Sequence, residues 1–394
     1  MAAAIYTKGM AYSPFDRLQI GMIARESSIT HPWLARKALE PNRAGSILFH
    51  AGAGVFQRPG GGEIQLIKTG MALADRGHEI GLFNPWRDHL DQARILHMFG
   101  LHPEFESLAR LARSSGIGVV VSPICWYDPV AQWDQATGWI PGVIGLSKWL
   151  LLRQCGLARS RAWRSRLLGL ADAVLPNSKA EADQLERLLG VDPARIHIVP
   201  NGVDAIVNTP DPRLAKQAFQ GGDYVLYVGR IEPRKNVLGL IKACLSAQLP
   251  LIIIGQSPLE HQKYDQDCRK AAESGQVQFA GALSKEDPLL ASAMANARVF
   301  ALPSWFETPG LAALEAAALG TPVVITRRGS TRDYFGGSAI YCDPARPSTV
   351  RTAIESAWHK PPAGRDQLAA RIQREWTWTE VARITEGIYD AVAH

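Results

Sequence analysis

The sequence predicts two doubly wound α/β domains facing each other across a cleft. Three observations carry this. A length of 394 residues exceeds what one hydrophobic core usually holds. Short, apolar, β-branched runs alternate with amphipathic helical stretches, the pattern of parallel strands covered on both faces. The alternation occurs twice, on either side of a turn-prone junction made by Asn201-Gly202 and then Asn208-Thr209-Pro210-Asp211-Pro212.

Taken in order, residues 1–45 show no clear periodicity and hold Pro14, Pro32 and Pro41, which reads as an irregular extension. The first domain, residues 46–205, has strand-like runs at Ile47–His50, Glu79–Phe83, Gly118–Ser122, Ala173–Pro176 and His197–Val199. The second, residues 206–376, repeats them at Tyr224–Val228, Leu251–Ile254, Val277–Ala280, Val299–Leu302 and Pro322–Thr326. Helix ends are legible: Ser178 with Glu181 and Thr377 with Glu380 have capping-box spacing, and Gly320 closes the helix running through Leu319. A terminal helix is expected over residues 377–394.

Composition narrows the classes. Hydrophobic residues at 46% and charged residues at 20% suit a globular enzyme rather than a disordered or fibrous chain. Residues 1–17 lack a basic stretch followed by an apolar run, so no secretory signal is expected. The best apolar stretch, Gly142–Leu152, is too short to span a bilayer and is broken by Lys148. Cys125, Cys155, Cys244, Cys268 and Cys342 are odd in number and scattered, against a disulfide framework or zinc site and for a reducing cytoplasm. A net charge of +6 suits an anionic partner without choosing among phosphate, lipid head group and nucleic acid.

Doubly wound sheets bind ligands at the carboxyl ends of their strands. Gly229-Arg230-Ile231-Glu232-Pro233-Arg234-Lys235-Asn236 joins such a strand end to a helix start. There Arg230, Lys235 and free backbone N–H groups can hold a diphosphate; the plainer alternative is a solvated basic loop. Glu307 follows the strand Val299–Leu302, and Glu315 lies two turns into the next helix among Ala313, Leu314, Ala316, Ala317 and Ala318. A carboxylate in apolar surroundings needs a partner, which a ligand hydroxyl or a protein cation supplies. Gly60-Gly61-Gly62 opens the helix after the first strand, where glycine allows close backbone approach and the helix terminus favours an anion. Gln57 stands where a dinucleotide fingerprint needs its third glycine, so nicotinamide binding loses its support.

Together these residues resemble the family-4 retaining glycosyltransferases of GT-B fold. The resemblance runs from about Ser46 to the C-terminus and is carried by Ala171-Asp172-Ala173-Val174, Asn177-Ser178, Val199–Asp204, Tyr227–Arg230 with Lys235-Asn236, Phe279-Ala280-Gly281, Glu307 to Glu315, and Leu319–Val324. It implies a donor site in which Gly229, Arg230 and Lys235 grip the phosphates of a nucleotide-diphosphate-sugar. Glu315 would hold the ribose and Glu307 the transferred sugar, with Gly281, Gly310 and Leu311 lining the site. Gly61 and Gly62 would approach the phosphates from the first domain. The nucleotide sugar would be a substrate, with no cofactor and no metal, and the last helix would cross back onto the first domain. Reaction would proceed with retention, the leaving phosphate assisting front-face attack, toward a glycan or lipid-linked acceptor in surface polysaccharide or glycoconjugate synthesis. Nucleic acid is not an expected partner.

Two departures stand out. Pro309 lacks the N–H that a sugar would otherwise meet. Many family members carry a histidine beyond the fourth strand, whereas Ser122-Pro123-Ile124-Cys125-Trp126-Tyr127-Asp128 has none. Trp126 and Asp128 are acceptor-side candidates, although an Asp in a loop before a proline such as Pro129 is commonly a turn residue. His50 is a third, or else a hydrogen-bonded structural histidine. Lys148 to Arg166 carries six basic residues with Trp149 and Trp163, fitting either an anionic membrane surface or a helix with its basic face in water. A cytoplasmic protein, peripheral at the inner membrane, would follow from the first. The rival readings are a nucleotide-sugar epimerase or sugar phosphorylase of related fold, and a catalytically silent donor-binding subunit.

Overall fold

The computed structural model describes residues 32–39, 42, 44–52, 60–127, 159–204, 209–219 and 221–393. It contains two parallel sheets, each wrapped by helices. The first is built from β1 (Ser46–Ala51), β2 (Ile80–Leu82), β3 (Ala93–Phe99), β4 (Gly118–Ser122) and β5 (Ala173–Val174) in the order β2-β1-β3-β4-β5. The second runs β11-β10-β9-β6-β7-β8, from β6 (Val225–Val228), β7 (Leu251–Ile254), β8 (Val277–Gly281), β9 (Val299–Leu302), β10 (Val323–Thr326) and β11 (Ile340–Cys342). All ladders within the two sheets are parallel. The order in which strands are added reverses between β1 and β3 in the first sheet and between β6 and β9 in the second, with every strand still parallel. Loops diverge at such switch points and leave a crevice.

The helices that matter for the cleft are α1 (Pro32–Leu39), α2 (Gly61–Asp75), α3 (Phe105–Ser114), α4 (Arg159–Leu170), α5 (Lys179–Gln184), α6 (Pro212–Ala218), α7 (Val237–Ala247), α8 (Gln262–Ala272), α9 (Pro288–Asn296), α10 (Leu311–Ala318), α11 (Thr331–Phe335), α12 (Pro347–His359), α13 (Arg365–Glu375) and α14 (Trp378–Val392). The second domain has one continuous core centred on β6, β7 and β9, and the first has a core on each face of its sheet. Helix α14 crosses back from the second domain and buries Trp378, Val381, Ala382, Ile388, Tyr389 and Val392 against the first.

Several sequence expectations need correction. Residues 32–39 are helical, and Trp33 and Leu34 are buried in the first domain's core; eight residues are too few to display a period. Strand β3 was missed because Arg94 and His97 interrupt its apolar run. His97 is nevertheless fully buried, its two ring nitrogens meeting the Tyr389 hydroxyl at 2.5 Å and Ser122 Oγ at 2.9 Å. Strand β11 was missed for its three-residue length. Residues 197–199 form no strand; His197 N–H and Val199 N–H donate to the carbonyls of Val174 and Pro176 beside the two-residue β5, and the pairing ends there. At Ser178 half of the capping box forms: its Oγ accepts from Glu181 N–H, while the Glu181 carboxylate is used elsewhere. Gly320 lies at φ +79°, just past the end of α10, as a left-handed stop requires.

Candidate active site

The two reversal points face each other, and the loops after β6 and β9 build one wall of the crevice. Gly229 sits at φ +155° and packs so tightly on the next strand that a Cβ on Gly255 would lie 1.9 Å from the Gly229 carbonyl oxygen. The Tyr227 hydroxyl donates to the Arg230 carbonyl at 2.7 Å, so the β6 strand itself holds the turn that presents Arg230. Residues 233–235 form a single tight turn, and Asn236, in the left-handed region, passes the chain into α7. Lys235 is thereby aimed into the loop after β9, where its Nζ meets Glu307 Oε1 at 2.7 Å.

Glu307 is almost wholly buried at 4% exposure, and its backbone is clamped. Its N–H donates to the Arg328 carbonyl and its own carbonyl accepts from Ser330 N–H, a bridge possible because Gly329 brings no Cβ against it. Burial opposes ionisation of Glu307, but Lys235 and then Arg234 outweigh it and hold the carboxyl below the usual range. Burial likewise draws the Lys235 ammonium down from the ordinary lysine range, Glu307 pulling the other way. The pair is a buried ion pair whose partners depend on each other.

Arg230 reaches the other wall. It pairs with the buried Glu232 at 3.3 Å, and a Cβ on Gly60 would lie 3.7 Å from its Nη2. The Gly60–Gly62 loop opens α2, with Gly60 N–H donating to Glu63 Oε2 at 2.6 Å. A Cβ on Gly61 would lie 4.0 Å from Leu311 Cδ1, so the starts of α2 and α10 meet across the crevice. Gly310 caps α10 at φ +94°, and Gly281 at φ +74° ends β8. The first- and second-domain candidates therefore converge, with Arg230, Lys235, Glu307, Gly60–Gly62 and Leu311 in one place.

Glu315 has a protein cation as its partner, one of the two expected, but is less buried than its apolar sequence neighbours suggest. Its helix neighbours Ala313, Leu314, Ala316 and Ala317 are buried, but residues adjacent in a helix point to different faces, and the Glu315 side chain keeps 21% exposure. It is ion-paired to Lys285 at 2.7 Å. Lys285 also meets Asp204 at 3.2 Å, and Asp204 meets Lys68 of α2 at 2.7 Å. A four-member charge chain thus runs from the first domain through the junction to Glu315. Burial works against both central charges, but Glu315 and Asp204 raise Lys285 above its ordinary range, and Lys285 and Lys68 lower Asp204.

Of the acceptor-side candidates, Asp128 lies outside the described residues. His50 lies one residue before the end of β1 and is lowered from the ordinary histidine range by burial; it packs edge-on against Phe83 and tilted against Phe105, and His102 lies beside Phe105 as well. Trp126 is partly buried, and among the described residues its sequestered indole N–H meets no partner. Of the segment Lys148–Arg166, residues 148–158 lie outside the described set. Arg166 is held by two bonds to Glu106, and Trp163 packs against the core beneath α4. Sequence reading missed Glu232, Lys285, Asp204 and Lys68. The alternation of charge in Glu232-Pro233-Arg234-Lys235 was a signal for the first; the others are brought together only by tertiary contact.

Two facing Rossmann-like domains with an Arg–Lys–Glu cluster and a glycine loop at their shared switch-point crevice define a GT-B glycosyltransferase. A model of Glycosyltransferase Family 4 matches residues 59–206, and a model of Glycosyl transferases group 1 matches residues 212–374. The two models together support a GT-B group 1 glycosyltransferase. Among its relatives is a glycogen synthase of Mycobacterium tuberculosis, 30% identical over 263 residues, covering 64% of this chain and 59% of that protein. A D-inositol 3-phosphate glycosyltransferase of Jonesia denitrificans is 29% identical over 314 residues, covering 71% of this chain and 73% of that one. The chain therefore spans only about six tenths of the length of the glycogen synthase it matches. Sucrose-phosphate synthase from Thermosynechococcus elongatus superposes with a TM-score of 0.68 at 18% identity, covering 88% of this chain and 98% of that one. Anabaena HepE in complex with UDP superposes at 0.66 and 17% identity, covering 88% and 100%. Among the described residues no helix is long and apolar enough to cross a membrane.

Proposed function

We propose that this chain is a retaining, metal-independent hexosyltransferase that takes its sugar from a nucleotide-diphosphate donor and delivers it to a glycan or lipid-linked acceptor. The observation that carries the reading is the Lys235–Glu307 pair, buried at the switch point with Arg230 facing the glycine loop. Such a site offers two cations and the N-terminus of α2 to a diphosphate, and a fixed carboxylate to the sugar it carries. HepE was solved with UDP and with UDP-glucose, which favours a donor of that class. In this scheme the acceptor oxygen bonds the anomeric carbon on the face that the diphosphate leaves, and the acceptor's proton passes to the departing phosphate. Arg230 and Lys235 stabilise the charge growing on that diphosphate, and Glu315 exchanges Lys285 for the ribose hydroxyls. The basic segment ending at Arg166 would place the protein at an anionic inner leaflet, which sedimentation with anionic vesicles at low salt tests directly.

A thermal-shift screen with UDP-, GDP- and ADP-glucose tests the donor site. A ligand at about 100 times its Kd stabilises the folded state by about 2.7 kcal/mol, a readily visible shift. One of the three should raise Tm, and nucleotide release with an acceptor present should survive excess EDTA. Failure of every nucleotide sugar to shift Tm would refute the donor reading, and abolition by EDTA would refute metal independence.

A further inference from the structure

Ile124 stands out on conformational grounds. Three non-glycine residues in the described chain have positive φ, and two of them, Asn236 and Gln248, are polar residues at helix ends. The third is Ile124 at φ +47°, a β-branched side chain in the region that excludes it most strongly. Such a conformation persists only when the surroundings over-determine it. Here they do, from both sides. Ahead of it, the Ser122 carbonyl accepts from Gly100 N–H at 2.8 Å and Ser122 Oγ meets the buried His97 at 2.9 Å. Behind it, Cys125 N–H donates to Glu181 Oε1 at 2.8 Å, and Tyr127 exchanges two bonds with the Gln184 amide, at 3.0 and 3.2 Å.

The side chain so held reaches the glycine loop. A Cβ on Gly62 would lie 3.4 Å from Ile124 Cδ1 and 3.7 Å from its Cγ2. The three consecutive glycines therefore look onto three walls: Arg230 at Gly60, Leu311 at Gly61 and Ile124 at Gly62. One wall is the cation for the leaving group; the other two are apolar and come from opposite domains.

We propose that Ile124 is a positioning residue that closes the reacting centre against water and so sets the partition of the donor between transfer and hydrolysis. The proposal rests on the donor-site reading above. In the unwanted reaction a water oxygen bonds the anomeric carbon as the bond to the diphosphate breaks. The water's proton goes to the leaving diphosphate, and free sugar and nucleoside diphosphate result. An apolar wall fixed beside the glycine loop offers that water no hydrogen-bond partner, so the acceptor oxygen rather than water reaches the anomeric carbon.

The test uses full-length wild type, Ile124→Gly, Ile124→Ala and Ile124→Val with UDP-, GDP- and ADP-glucose and no acceptor. Ile124→Gly removes the wall but suits the positive φ, so relief of backbone strain offsets part of the lost packing and its Tm should exceed that of Ile124→Ala. Its hydrolysis of the donor should rise about tenfold, with nucleotide affinity within about twofold of wild type. Ile124→Ala should show the same gain at lower Tm, keeping a readout if the glycine variant folds poorly, and Ile124→Val should restore low hydrolysis. Changed Tm with unchanged hydrolysis in both small variants would overturn the proposal and leave Ile124 a packing residue. If no donor binds wild type, the donor reading itself has failed instead.

Discussion

Glu181→Gln tests the support beneath the acceptor-side loop with a quantity read from the structure. Glu181 is fully buried and accepts from Cys125 N–H and Asn177 N–H, both at 2.8 Å. Burial raises its carboxyl from 4.5 to about 7, the two N–H bonds only partly opposing it. Cys125 and Tyr334, which sense its charge, are themselves pushed upward by burial and stay neutral throughout. Between those two values the unfolded chain has lost the proton that the folded chain keeps. The contribution to stability is therefore full below pH ~4.5 and is lost as pH rises through about 7. At about 1.4 kcal/mol per unit, the loss comes to about 3 kcal/mol. The glutamine variant cannot titrate. It starts from an offset of about 1–3 kcal/mol because its amide turns an N–H toward one of the two donors. Urea denaturation of both proteins from pH ~4.5 to ~8 cancels every other group, and the wild type should lose about 3 kcal/mol relative to the variant. A difference that stays flat across this range would refute the reasoning.

Arg230→Ala should lower turnover on the order of 100-fold or more while the protein stays folded, because one preorganised donor to the leaving diphosphate is lost; near-normal kcat sinks that role. Glu315→Gln should weaken nucleoside diphosphate binding by calorimetry, whereas Glu307→Gln should spare it and reduce transfer; equal losses of affinity would mean that the two roles are wrongly divided. Tyr389→Phe leaves a ring nitrogen of the buried His97 unpartnered and should cost about 1–3 kcal/mol in urea denaturation. Unchanged stability would show that this bond does not fasten α14 to the first domain.

The two-domain α/β plan was legible because it rests on local properties. Apolar runs such as Leu251–Ile254 and Val299–Leu302 are strands wherever they are buried on both faces, and their recovered bounds were the observed ones. The Lys235–Glu307 pairing was half legible. Each residue stands at a strand end that the sequence marks, but 72 positions separate them, and only the adjacency of β6 and β9 makes them partners. Strand β3 shows the opposite case: His97 looks like an interruption until α14, nearly three hundred residues on, supplies Tyr389. Glu315 was half legible: its need for a partner showed, but sequence neighbours on a helix do not share a face, and its partner Lys285 comes from another loop. Ile124 carried no signal at all in the sequence. Its backbone conformation is imposed by Glu181 and Gln184 acting from α5, and its contact with Gly62 exists only because the sheet brings the ends of β1 and β4 to one edge. Periodicity and turn chemistry thus determined the elements and their class. The charges and strains that define the crevice were decided by tertiary packing, because they arise from residues that share a wall without sharing a segment.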